Sequence, residues 1–211
     1  MAMMTNTQNF SRWNAALNNQ RASAAAVAAV QDLPDGPVRD RVFALLDQTT
    51  DTLINTPAPS LGAIATKLEC LFGEELFDEQ DPRSKACRLL IGDLRLAERV
   101  SLGFEEPDLS GGMDLARLAV DWAENLREYV RWSTLLHEGP SDAWGQSTRA
   151  DIVALMDEAE ASLLSMHAPD LNAVCMKLRL LALNYTDDLD QRTGLLLALR
   201  DVRRFATNQV E

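Results

Sequence analysis

The stretch APSLGAIATKL, residues 58–68, is followed 110 residues later by APDLNAVCMKL, residues 168–178. Laid without a gap, residues 38–71 and 148–181 share 12 identities in 34 positions. Composition alone would give roughly 2 to 4, and self-similarity at a fixed period marks a repeated structural unit. The matches fall where a helix needs them. Leu61, Ile64, Leu68 and Leu71 form one apolar stripe at spacings of three and four, and Leu171, Val174, Leu178 and Leu181 form its counterpart. Ser60 and Asp170 stand just before the stripes, and both side chains can accept amides of a first helical turn. Pro59 or Pro169 at the first helical position is the other register open to the sequence. Lys67 and Lys177 flank the stripes, where the aliphatic stem is expected to cover apolar surface while the ammonium reaches water.

Working outward, residues 42, 45, 46, 49 and 53 predict an amphipathic helix, matched by 152, 155, 156, 159 and 163. Pro57 and Pro59 end the first copy and Pro169 ends the second, because proline disfavours helix in the residue before it. A further helix is expected over residues 84–100 and again over 190–206, with Asp93 and Arg95 aligned to Asp201 and Arg203. Residues 9–30 and 113–137 also read as helical, with Trp13 and Trp122 as a weak equivalence. The expectation is an all-α fold of about eight helices, an internal duplication of a three- to four-helix module in a pseudo-twofold bundle. The first repeat spans residues 1–104 and the second 105–211, joined in the loop GFEEPDLSGG, residues 103–112.

Of the 211 residues, 46% are hydrophobic, 25% charged and 6% aromatic, ordinary values for a globular chain. Ala and Leu abound, which favours helix over strand. The net charge is -12, with 10 bases against 18 acids in residues 106–211. That balance argues against direct nucleic-acid binding, which needs cations to displace counterions from phosphate, and against anionic membranes. MAMMTNTQNF has no basic stretch followed by an apolar core, so no secretory signal is expected, and no window is apolar enough to span a bilayer. Cys70, Cys87 and Cys175 are odd in number and form no metal-like pair, which fits thiols in a reducing cytoplasm.

Candidate chemistry is thin. His137 closes a helix, where a cation interacts well with the helix dipole, and His167 stands opposite Pro57 in a loop. The acidic runs GEELFDEQDPR, residues 73–83, and YTDDLDQR, residues 185–192, precede equivalent helices. Helix capping accounts for them better than a cation held by Asp187, Asp188 and Asp190. With no phosphate loop, nucleophile elbow or HExxH motif, no catalytic, cofactor-binding or metal residue is assigned, and no enzyme is expected. The densest aromatic stretch is Trp122, Tyr129 and Trp132, with Trp144 beyond. Core packing explains it first, and a partner-binding face second, since aromatic anchors dominate protein interfaces.

The helix start formed by Pro59, Leu61, Lys67 and Leu68 resembles one found in small helical bacterial proteins of unknown function, some from phage-derived regions. The resemblance covers about a quarter of the chain and implies no catalytic residues, and this chain departs from the single-copy form by holding two. The function expected is a cytoplasmic, non-enzymatic protein-interaction role, as adaptor or regulator, with a protein partner and compatible with a homo-oligomer. The alternatives are an acidic phage-related inhibitor or nucleic-acid mimic seated in a basic groove, and a helical-bundle enzyme or small-ligand binder.

Overall fold

Alanine has the highest helix propensity and proline among the lowest, and the first boundary in the chain follows from those two residues. In the computed structural model, helix α1 runs Asn6–Val30 through an alanine-rich stretch, and α2 runs Pro37–Asn55 with its proline in the first turn. The other helices are α3 (Leu61–Phe72), α4 (Pro82–Ser101), α5 (Leu115–Glu138), α6 (Gln146–Ser165), α7 (Leu171–Asn184) and α8 (Leu189–Asn208). The structure describes residues 6–32, 34–73, 76, 78, 80–102, 115–138, 146–184 and 189–208. Among these there are eight helices and no strand, so the fold is all-α. The join at 103–112, the aspartates 187 and 188, and Trp144 lie outside the described residues.

The register left open by the sequence is settled in favour of the polar caps. Ser60 Oγ accepts the amide of Ala63 at 3.2 Å, and Asp170 Oδ1 accepts that of Ala173 at 2.8 Å. The proline before each cap therefore lies outside the helix. α3 ends at Gly73, whose φ of 48° places it in the left-handed region that suits a residue without a Cβ. At the start of α4, Asp81 accepts the amides of Arg83 and Ser84, both at 3.1 Å. The first acidic run thus does cap a helix. Burial pushes the Asp81 carboxyl up, but these bonds outweigh it and leave the group below its ordinary value. At the end of α5, His137 Nδ1 lies 2.8 Å from the carbonyl of Ser133, within the last turn.

The core lies between α3, α4, α7 and α8. Leu68, Leu90, Leu94, Leu178, Leu181, Leu195 and Val202 are fully buried there, and each apolar side chain withdrawn from water contributes about 1.5–3 kcal/mol. α3 approaches α8 closely at Gly194, where an added Cβ would stand 2.6 Å from a methyl of Leu71. The packed helix pairs obey a rule: α1 with α2 is matched by α5 with α6, α3 with α4 by α7 with α8, and α3 with α8 by α7 with α4. The pairs α2 with α3 and α2 with α8 are matched by α6 with α7 and α6 with α4. Adding four to a helix number, cyclically, returns a packed pair every time.

Two sequence expectations change. The stripe on α2 and α6 loses one position in each helix: Leu53, Ile152, Ala159 and Leu163 are buried, whereas Leu45 and Leu155 stay 47% and 40% exposed. On α2 burial is concentrated at the C-terminal end, at Leu53 and Ile54. The second change concerns Lys67 and Lys177. Their ammonium groups do not reach water, because a carboxylate from the opposite half of the chain meets each of them inside the core.

Candidate functional site

The loop between α2 and α3 contains Pro57-Ala58-Pro59, and Ala58 supplies the one backbone N–H of those three residues. Ala58 is fully buried, and a buried amide must find an acceptor. It donates to Asp201 Oδ2 on α8 at 3.1 Å, and the same oxygen accepts Lys67 Nζ from α3 at 2.8 Å. The carboxylate thereby closes a loop and neutralises a lysine in one place. Arg204 donates to the carbonyl of Ala58 and lies 3.9 Å from Asp201 Oδ1, with Arg200 at 3.8 Å from that oxygen. The indole of Trp13 covers the ammonium, 5.7 Å from Nζ to the ring centroid.

The second centre repeats the parts with the halves exchanged. Ala168 N donates to Asp93 Oδ2 at 2.8 Å, and Lys177 Nζ lies 3.3 Å from the same oxygen. Lys177 also donates to the carbonyl of Met166. Trp122 stands over this ammonium at 5.9 Å. The third partner is different in kind: His167 Nδ1 approaches Asp93 Oδ1 at 2.7 Å. The imidazole is 42% exposed while Asp93 is 3% exposed, so one side of the carboxylate reaches the surface through a ring.

Burial pushes both lysines below the ordinary lysine value, against the pull of Asp201 on Lys67 and of Asp93 on Lys177. Burial likewise raises the thiols of Cys70 and Cys175, which makes them poor nucleophiles. No buried side-chain nitrogen or oxygen among the described residues lacks a hydrogen-bond partner. A surface cleft of about 750 Å³ runs between the start of α4 and α6, lined by Arg83, Lys85, Asp157, Glu158 and Ser162 among others. Neither lysine and neither aspartate of the two buried centres lines it. Among the described residues no group of His, Cys, Asp and Glu is arranged to hold a metal ion, and no helix is long and apolar enough to cross a membrane.

The aromatic candidates separate. Trp122 is 5% exposed and packs with Leu163, Ala173 and Leu180, so its ring belongs to the core and to Lys177. Tyr129 is half-buried at the edge of the same cluster. Trp132 is half-buried, with the guanidinium of Arg131 4.7 Å from its centroid. Sequence reasoning aligned Asp93 with Asp201 but assigned neither a role. The signal was present: Asp93 interrupts the stripe Ala86, Leu90, Leu94, and Asp201 follows Ala198 by three, so each is a carboxylate on an inward face. Comparison with protein-family models, curated proteins and solved structures finds no match to this chain.

Proposed function

We propose that residues 1–104 and 105–211 are two copies of one module folded as a fused pseudo-twofold bundle, and that the chain is a cytoplasmic, non-enzymatic interaction protein. Three observations support the duplication: the aligned identities, the matched helix pairs, and the exchange of a Lys–Asp pair in each direction between the halves. The resemblance to small phage-related helical proteins is carried as part of the same reading.

One observation carries the interaction role. α5 packs along α6 and reaches α7 through Trp122, and beside that buried face it holds Trp132 stacked with Arg131. Tryptophan and arginine are the residue types that most often anchor protein interfaces, and a half-buried ring already fixed in place loses little entropy on binding. Tyr129 lies one turn earlier on the same helix. The ionisable groups of the interior, by contrast, are engaged in packing.

The acidic-mimic reading has its own support in charge placement, since α5 and α6 carry Glu124, Glu128, Asp151, Asp157 and Glu158 on exposed positions. One experiment addresses both readings. The tagged chain and its Trp132→Ala variant are used to capture partners from the native host at low and high salt. Recovery of a protein by the wild type, lost with W132A at an unchanged melting temperature, is expected. Equal recovery by both refutes the aromatic face, and loss of a basic partner by salt alone moves the assignment to the acidic surface.

A further inference from the structure

Resting on the duplication proposed above, we infer that the two buried centres form a pairing code, with His167 and Arg204 as the residues that make each half select the other half and reject a copy of itself. Each module offers the same two faces to its partner. One face is the loop with its alanine N–H and the lysine that follows; the other is the carboxylate on the last helix. In the native pairing both carboxylates are neutralised: Asp93 is met by Lys177, Ala168 and His167, and Asp201 by Lys67 and Ala58 at one oxygen with the Arg204 and Arg200 guanidiniums at 3.9 and 3.8 Å as longer ion pairs at the other.

Like pairs would lose this match. Two copies of α1–α4 would set Asp93 against Lys67 and the amide of Ala58. The loop position of His167 is then Pro57, which has no donor, and the helix position of Arg204 is Leu96. One oxygen of a buried carboxylate would be left without a protein partner, at two symmetric places, and a buried acceptor left unserved is a large penalty. Two copies of α5–α8 fail in the opposite way. Asp201 would meet Lys177, Ala168 and His167 while keeping its own Arg200 and Arg204, so the imidazole and two guanidiniums would compete for the space around one outer carboxylate oxygen. Specificity between related partners is commonly achieved by such mismatches, which act against the wrong pair rather than for the right one.

The test uses the full chain with a protease site inserted within residues 103–112. After folding, the chain is cleaved, unfolded in urea, refolded by dilution and weighed intact by native mass spectrometry, which resolves the unequal halves. Complexes of unlike halves are expected to exceed like pairs by about tenfold or more. Leu96→Arg supplies a cation at the position of Arg204 in the α1–α4 like pair while leaving every polar partner of the two native centres in place. It is expected to raise that like pair several-fold, and no rise would overturn the assignment. Wild-type halves that pair in random proportion would overturn the code while leaving the duplication standing. Halves that refold apart, without pairing at all, would overturn both the code and the fused bundle.

Discussion

The Lys67–Asp201 and Lys177–Asp93 centres differ most toward the surface. Toward the core they share an ammonium, a carboxylate, a loop amide between α2 and α3 or between α6 and α7, and an indole over the cation, with Lys177 adding a bond to the carbonyl of Met166. Toward the surface one carries arginine from its own helix and the other carries histidine from the facing loop. The inner partners are fixed by desolvation, since a buried ammonium and a loop amide beside proline, fully buried at Ala58 and half-buried at Ala168, each need an acceptor. The outer oxygen can be served by any donor that reaches it, and there the two halves part.

The largest expected effect comes from breaking the shared part. Asp201→Ala and Asp93→Ala should each cost about 3–5 kcal/mol, because each leaves a lysine charged and unpaired in the core. The double replacements Lys67→Met with Asp201→Leu, and Lys177→Met with Asp93→Leu, should recover most of that loss. Urea midpoints of the four variants decide it, and a cost below about 1 kcal/mol for either aspartate would mean that water reaches its lysine. Next in size are Leu68→Ala and Leu178→Ala, both at fully buried positions, at about 2–5 kcal/mol each. Thermal melts that differ widely between these two would break the equivalence of the helices that carry them.

The sequence made one half of this comparison legible. The helix starts at Ser60 and Asp170 and the leucine faces of α3 and α7 follow from spacing and capping chemistry, which act over a few residues. Lys67 and Lys177 were misread for a long-range reason. Their acceptors lie 134 and 84 residues away in the chain, on helices of the other half. A lysine beside an apolar stripe normally reaches water, and only the crossing of the halves brings a carboxylate to it. Trp122 is ambiguous from sequence on the same ground, since its burial depends on where α7 lies.

A smaller test uses pH. Both lysines have lowered values in the folded chain, so between those values and the ordinary 10.5 the unfolded chain binds more protons than the folded one. Stability contributed by each lysine therefore rises as pH rises through that window, by at most about 1.4 kcal/mol per pH unit for each proton released. The chain's large negative charge acts in the opposite sense, so the quantity to follow is a difference. The stability of the wild type minus that of the Lys67→Met, Asp201→Leu variant should increase between pH 8 and pH 10. A difference that stays flat or falls would show that the Lys67 ammonium keeps its proton across the window, contrary to its burial. The same measurement on the Lys177→Met, Asp93→Leu variant compares the two centres directly.

The smallest effect lies in the helix caps, and it sharpens the comparison most finely because the geometry there is shared and only the chemistry differs. Ser60 and Asp170 each accept the amide three residues on, one through a neutral hydroxyl and the other through a carboxylate. Removing either by substitution to alanine should cost about 0.5–2 kcal/mol. The charged cap also meets the positive end of the helix dipole, worth about 0.3–1 kcal/mol at low salt. Exchanging the residues isolates that term. Ser60→Asp should stabilise the protein by a few tenths of a kcal/mol and Asp170→Ser should destabilise it by a similar amount, with both changes shrinking as salt is added. Opposite signs that vanish in salt would mean that α3 and α7 present the same helix end to their caps. Two destabilisations would mean that each cap is tuned to surroundings the other helix lacks, so that α3 and α7 differ already at the helix start and not only at the buried centres beyond it.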